Sequence, residues 1–352
     1  MPAPRVHVPA EDLRLIASRA LAAAGLSDEH AATVADAFVW ANLHGVDSHG
    51  ISRLPRYLEL LESGEANARP KLETTRVRAA ALVIDADQAP GPVALSYAMR
   101  EAIELARHAG VAWATVRGTV HTGAIGYYTT LASAQGLAGI GIVAGVPNMA
   151  YHGARGAAVA TSPLSIALPA SKHPDFVLDM ATATIALGKI AQYKARGESL
   201  PAGSALTADG EPTTDAAEAK IPLPAAGAKG SGMSLAFELL ASGLAGNPIV
   251  AEYHDGTPDG RRHRQNATLI AVDVAAFLPI EEFTQIVDRT IDAVTALPPA
   301  GDNPVLVPGG RSATVARKRE QDGIPLPARV WESVTEAAAR YGVTSPEPVA
   351  SS

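Results

Sequence analysis

The sequence predicts an α/β protein of several lobes that is not a Rossmann fold. Three observations carry that expectation. The chain has 352 residues, and single hydrophobic cores stop growing at roughly 250 to 300 residues. Short, β-branched apolar runs alternate with longer segments of helical period, which is the pattern of an α/β architecture. The glycines that imitate a dinucleotide fingerprint, Gly139, Gly141 and Gly145, lie inside the strand-like run GLAGIGIVAG and are followed by VPNMAYHGAR, which has no helical period. A Rossmann fingerprint needs its glycines between a strand and the helix they open.

Taken in order, residues 10–24 put Leu13, Ile16, Ala17, Ala20 and Leu21 on one face, and Gly25 ends that helix as a C-cap glycine does. Ser27 is an N-cap with acidic residues after it, and the apolar period of this second helix runs to Leu43. A loop with Gly64, Asn67 and Pro70 leads to a buried strand over 80–87. The next helix has Pro92 in its first turn and Gly110 past its end. VAWATVRG and GLAGIGIVAG are strands around a loop, TVHTGAIGYY, that carries His121. PLSIALPA and FVLDMAT are strands and TIALGKIAQYKARG is a helix, while SLPAGSALTADGEPTTDAAEAKIPLPAAGAKG is rich in turn residues and irregular. The helix SGMSLAFELLASGLAG, the polar run EYHDGTPDGRRHRQN, the strand ATLIAVDV and the helix PIEEFTQIVDRTIDAVTAL come next. PGGRSATVARKRE reads as a basic glycine-rich loop, WESVTEAAARYG as the last helix, and Thr344 onward as a disordered polar tail.

Composition removes several kinds of function. There are no cysteines, so disulfides, zinc-thiolate sites, iron–sulfur clusters and thiol nucleophiles are excluded together. A formal net charge of -7 offers no basic surface for nucleic acid. No apolar run approaches the roughly 18 residues of a membrane span and no leader pattern opens the chain, so a soluble cytoplasmic protein is expected.

The densest chemistry lies in HGVDSHGISRLPRY, residues 44–57, directly after the second helix. His44 and His49 would stand about 140° apart around a helix, so they do not form a helical zinc pair. His121 has an imidazole suited to proton exchange near neutral pH, or caps a loop carbonyl. Arg53 has the planar fork that grips a carboxylate, or makes a surface ion pair. His49 orients a substrate or caps the helix exit. Asp47 and Ser48 bind substrate or close a turn beside Gly50, and His44 and His152 read as structural. Lys229, after small residues and before a helix, is a candidate phosphate contact. The run Arg311, Arg317, Lys318, Arg319 reads as a solvated face that could also reach a cofactor phosphate. A metal-dependent hydrolase would need His44, His49 and His121 to converge with a carboxylate, and a noncatalytic nucleotide-binding module would need only the Lys229 loop.

The motifs GVDSHGISRLPRY, TVHTGAIGYY, LDMAT with a following GKI, ADGEPTTD, AAGAKG before a helix, AVDV, and PGG with a basic run ending in DGIPLP occur in that order over nearly the whole chain. In them the sequence resembles the malate/L-lactate dehydrogenase family of NAD(P)-dependent oxidoreductases. The resemblance implies a non-Rossmann, sulfolactate/malate dehydrogenase-like α/β fold. Its expected parts are a helical N-terminal lobe over 1–75 joined by 305–343, a central lobe over 76–145 and 230–304, a cofactor-binding lobe over 146–229, and a tail over 344–352. It implies a homodimer that oxidises small 2-hydroxy acids of malate, lactate, sulfolactate or ureidoglycolate type, or else reduces cyclic imine carboxylates, with NAD or NADP and no metal. By the same resemblance His121 and His49 are catalytic, and Ser48, His49, Arg53 and Tyr57 bind substrate. Asp179, Met180, Ala181, Lys229 and Arg311 match cofactor contacts. The chain departs from the family's usual pattern at Thr119–Val120, at Ser162–Pro163, and at Ala226–Gly227–Ala228 before the lysine.

Overall fold

The computed structural model describes residues 5–256 and 264–346. Its centre is a seven-stranded sheet in the order Glu73–Arg78, Ala81–Asp85, Val111–Thr119, Gln265–Asp273, Leu137–Gly145, Leu164–Leu168, Phe176–Met180. Ala81–Asp85 and Val111–Thr119 are parallel, bridged by the helix Gly91–Ala109, and every other neighbouring pair is antiparallel. Such a mixed sheet is not the doubly wound parallel sheet of a Rossmann domain. The three central strands bury alternating small residues, among them Ala112, Ala114, Ala267 and Ala271, which lets helices approach closely. Gly139 shows why: a Cβ there would lie 2.4 Å from the Thr129 carbonyl oxygen. The three strand glycines thus serve packing and pairing.

Ahead of the sheet, helices Ala10–Ala23 and Asp28–Leu43 pack along their apolar faces, with Ser27 capping the second by accepting the His30 amide. The chain leaves that helix through two short 3-10 turns into the helix Leu54–Glu62. This helix turns Leu54, Tyr57, Leu58 and Leu61 inward at helical spacing. Burying each of its leucines contributes roughly 1.5–3 kcal/mol, so the face that holds the helix in place also fixes the direction of Tyr57. The helix Ala328–Ala339 closes over it, and Arg5–Val8 pairs with Ile324–Pro327, tying the two ends of the chain together. A second, smaller cluster holds Ile185, Ile190, Leu200, Ala205, Ala216 and Ala219 beside Tyr193, around the helix Leu187–Arg196 and the short strands after it.

Four expectations need correction. The basic run after PGG is a helix, Gly310–Asp322, because only its first residues are turn formers and the rest carry good helix propensity. Lys229 lies inside the first turn of its helix, which begins at Ala228. Glu73–Arg78 is an exposed edge strand that its charge and polarity concealed. Part of the run read as polar and exposed is the short helix Val250–His254. The last two residues of that run, Gln265 and Asn266, open the strand Gln265–Asp273, with Asn266 fully buried, because the strand's pairing extends past its apolar stretch. Residues 257–263 of the run and the end of the tail, 347–352, lie outside the described residues. No described helix is long and apolar enough to cross a membrane.

Candidate active site

Two segments far apart in sequence meet at the end of the strand Val111–Thr119. The first, after helix Asp28–Leu43, is organised by Asn42, which sequence reading missed. This side chain is fully buried on the helix's inner face; its Oδ1 accepts the Ile51 amide at 2.7 Å and its Nδ2 donates to Asp47 Oδ1 at 2.8 Å. Gly50 has no alternative, since a Cβ there would fall within 2.6 Å of the Asn42 amide group. Asp47 also receives a two-pronged contact from Arg319, at 2.6 and 3.1 Å. One member of the basic run therefore anchors the site-bearing turn. A polar residue between Ala41 and Leu43 was the available signal for Asn42.

That turn presents Ser48, His49 and Arg53. Ser48 Oγ lies 3.1 Å from His49 Nδ1, and Arg53 Nε donates to the Ser48 carbonyl at 2.5 Å, so the Nη pair holds the guanidinium's remaining donors. Burial first, and the Arg53 charge second, push the His49 pKa down to about 4, so this imidazole is neutral at pH 7. Burial also lowers the Arg53 pKa from its ordinary value, not far enough to discharge a guanidinium.

The second segment brings His121. Its ring lies parallel to that of His49, with centroids 5.6 Å apart and 9° between planes. The Tyr57 hydroxyl is 2.6 Å from the His121 carbonyl oxygen and 3.0 Å from His121 Nδ1. A phenol has one proton, and a carbonyl can only accept, so the hydroxyl donates to the carbonyl and Nδ1–H donates to the phenol oxygen. That assignment places the imidazole lone pair on Nε2. Burial raises the Tyr57 pKa far above its ordinary value, so the phenol keeps its proton. Tyr57 itself is 1% exposed, and its hydroxyl serves His121 and not the open cleft.

His44 is held apart: its Nδ1 bonds the Trp40 carbonyl at 2.8 Å and its ring stacks on Trp40. Among the described residues no group of three or more His, Asp or Glu side chains is placed to hold a metal ion.

The candidate cofactor residues form a second, contiguous region. Asp179, next to last in the outer strand, accepts the amide of Gly126, five residues beyond His121, at 2.9 Å. As a residue Asp179 is exposed, yet enough protein surrounds its carboxyl for burial to raise its pKa to about 6, with the Gly126 bond pulling the other way. Met180 is exposed and Ala181 half-buried beside it. The Lys229 loop docks on this strand end: the Ala225 amide donates to the Thr182 carbonyl at 2.8 Å, and a Cβ on Gly230 would meet that carbonyl at 2.6 Å. The amides of Lys229 and Gly230 are occupied by the carbonyls of Ala226 and Ala225. The exposed Lys229 ammonium, more than the helix's first amides, is therefore what an anion would meet. Ala226 sits at φ 49, the left-handed region that favours glycine. A cavity of about 260 Å³ opens next to this loop, walled by Tyr151, His152, Leu206, Leu223, Pro224 and Gly227. Exposed Arg311 lies in the first turn of the helix Gly310–Asp322, whose N-cap Gly309 packs on the beginning of the same strand, at Asp175 and Val177. The two regions touch where Gly188, in the helix after the strand, comes so close to Ser48 that a Cβ would lie 2.7 Å from Ser48 Cβ.

The chain and its fold are similar to known proteins. The family model described as malate/L-lactate dehydrogenase matches residues 8–335. The chain is 35% identical to the L-sulfolactate dehydrogenase of Methanocaldococcus jannaschii over 91% of its own length and 92% of that protein's. A solved structure of sulfolactate dehydrogenase from that organism superposes with a TM-score of 0.86 over 97% of this chain and 98% of that one. The ureidoglycolate dehydrogenase (NAD(+)) of Escherichia coli K12 is 32% identical over 92% of this chain and 93% of its own. The delta1-piperideine-2-carboxylate reductase of Pseudomonas syringae pvar. tomato is 28% identical, with a TM-score of 0.82 over 94% of this chain and 99% of that one. The chain belongs to the malate/L-lactate dehydrogenase family. It is a dehydrogenase, an oxidoreductase acting on a CH–OH group.

Proposed function

We propose that the chain interconverts a small 2-hydroxy acid and its 2-keto acid with NAD or NADP, His121 exchanging the hydroxyl proton and Arg53 holding the carboxylate. The observation that carries this reading is the double contact between Tyr57 and His121 beside a neutral His49 and a charged Arg53. Such a substrate needs a base for its hydroxyl, a cation for its carboxylate, and an acceptor for the C2 hydride. His121 supplies the first through Nε2. As it becomes imidazolium, the Tyr57 oxygen accepts from Nδ1–H, and a neutral neighbour at His49 adds no repulsion. Arg53 supplies the second through its Nη donors, in a geometry a lysine cannot reproduce. Ser48 and His49 line the same substrate position.

The residues around Asp179 to Ala181, Lys229 and Arg311 fit a dinucleotide. Exposed Met180 offers an apolar surface, Lys229 and Arg311 offer positive charge for phosphate, and Gly230 lets the loop lie flat on the strand end. A bound nicotinamide supplies the hydride acceptor in oxidation and the donor in reduction. Homodimerisation belongs to the same proposal, supported by the family and by Leu235, Leu239 and Leu244, which are large apolar side chains left exposed on one helix and its exit. The division into helical, central and cofactor-binding lobes stays part of this proposal.

The likeness to a cyclic imine carboxylate reductase favours one second reading, reduction of such an imine, which needs the same carboxylate grip and a proton source. A screen of hydroxy acids, keto acids and cyclic imine carboxylates with both dinucleotides, followed at the reduced nicotinamide band, separates the two. Turnover of malate-, lactate-, sulfolactate- or ureidoglycolate-type acids supports the first; turnover of imines alone replaces it with the second.

A further inference from the structure

We infer that Gln265 is a positioning residue for His121, acting through the peptide on the histidine's C-terminal side, and that buried Asn266 fixes the other end of the same loop. The inference rests on the reading of His121 as the proton-exchanging group.

His121 lies past the last ladder bond of its strand, in a segment where peptide groups must find partners elsewhere. Side chains provide them. The Thr122 amide donates to Gln265 Oε1 at 2.8 Å, the Thr122 carbonyl accepts from the Tyr128 hydroxyl, and the His121 carbonyl accepts from Tyr57. Because Thr122 donates, the Gln265 oxygen must be the atom that faces it. One turn earlier the Gly118 amide donates to Asn266 Oδ1 at 3.0 Å.

Gln265 and Asn266 occupy this place because the sheet is irregular there. Gln265 pairs with Thr119 and Ala267 with Val116, so Arg117 and Gly118 together face Asn266. This bulge, with Gly118 at φ 70, bends the strand and redirects the chain beyond it, a use common beside active sites. Asn266 is fully buried and completely bonded: Oδ1 also accepts from Asn247 Nδ2 at 2.9 Å, while Nδ2 donates to Ser242 Oγ at 3.0 Å and the Asn247 carbonyl at 2.8 Å. Ser242 in turn donates to the buried Glu238 carboxylate at 2.9 Å. The bulge is thereby tied to a rigid network in the helix Ala228–Glu238 and its π turn. On the opposite side Gly91 packs against the loop so closely that a Cβ would lie 2.3 Å from Thr122 Cα. His121 is held between this wall and the two amides of the central strand. Only Gln265 among these groups bonds the peptide next to the histidine without being buried in the core, so it can be changed without emptying the interior.

The experiment compares Gln265→Met, which keeps size and loses the acceptor, with Gln265→Glu, which keeps the acceptor. Misplacing a reacting group by about an ångström can cost on the order of 100-fold, so Gln265→Met should lower kcat by between about 10- and 100-fold. Substrate KM and dinucleotide Kd should stay near the parent's. Gln265→Glu should recover most of kcat, with the pH profile moved upward by the new charge near His121. Thr268→Val is the control: it removes a buried hydroxyl bond to the Leu240 carbonyl, 2.8 Å long, on the same strand, and should lower Tm and spare kcat. In the parent, the Thr122 amide should be strongly protected from hydrogen exchange although it lies in a loop, and Gln265→Met should release it. Parental kcat in folded Gln265→Met, equal damage in Gln265→Met and Gln265→Glu, a kcat loss in Thr268→Val as large as in Gln265→Met, or an unprotected Thr122 amide in the parent would each overturn the inference. His121→Ala, assayed alongside, tells its failure apart from failure of the underlying reading: an inactive His121→Ala beside an active Gln265→Met removes only the positioning role.

Discussion

Tyr57 and His121 meet through one hydroxyl that serves both the ring and the backbone of the histidine, at 3.0 and 2.6 Å. The contact joins the helix Leu54–Glu62 to the end of the strand Val111–Thr119, so helix packing and imidazole tautomer are set together. Tyr57→Phe keeps the buried ring and removes both bonds. Losing the hydroxyl's bond to the His121 carbonyl should cost about 1–3 kcal/mol of stability. With the tyrosine contact to Nδ1 lost, kcat should fall more than KM rises. Thermal melting and steady-state kinetics check the two halves separately.

Half-buried His49 predicts a pH-dependent stability with a definite sign. Its folded pKa, about 4, lies below the ordinary value of 6.5. Between these values the unfolded chain binds the proton and the folded chain does not, so the stability contributed by neutral His49 is complete above about pH 6.5 and is lost as pH falls toward 4. The difference in unfolding free energy between the parent and His49→Asn should therefore shrink across that window. Denaturant titrations at several pH values measure it, and a constant difference would contradict the assignment.

Asp179 has the opposite slope. Its folded pKa, about 6, is raised above 3.8, so the folded chain takes up the proton first and the carboxylate is disfavoured above pH 6. Asp179→Asn should gain stability relative to the parent as pH rises from about 4 to 6. Paired melts in that range show whether it does.

Much of this architecture is legible in the sequence because local signals and tertiary demands agree. The helix ending at Gly25, the Ser27 cap, the helix after Pro92 and the strands around His121 all carry period and punctuation that point one way. The failures occur where they conflict. PGG announces a turn, yet the residues after it prefer helix; Glu73–Arg78 is too polar to look like a strand because it is an edge. In the site, His49, Arg53, Tyr57 and His121 could be nominated from motif resemblance, and the structure brings these four together. What could not be read is how they are held. Asn42, Gln265 and Asn266 act on peptide groups distant in sequence, and no periodicity encodes such a pairing. That Arg319 grips Asp47 was equally hidden, since a basic run gives no sign of its partner.

For Lys229, the occupied amides around it make the side-chain charge the main anion contact. Lys229→Ala should weaken dinucleotide binding, and the loss should be larger at low salt, because exposed charges are screened. Fluorescence titration at two ionic strengths measures it. Affinity unchanged at both, in a folded variant, would remove the residue from the cofactor site.

The most direct test of the central claim is single-turnover oxidation of the preferred 2-hydroxy acid by His121→Ala, with dinucleotide Kd measured on the same preparation. A positioned general base contributes roughly 10²- to 10⁴-fold, so the hydride-transfer rate should fall by about that factor while Kd holds. Retention of near-parental transfer across the pH range by a folded His121→Ala would contradict the account and move the proton exchange to another group.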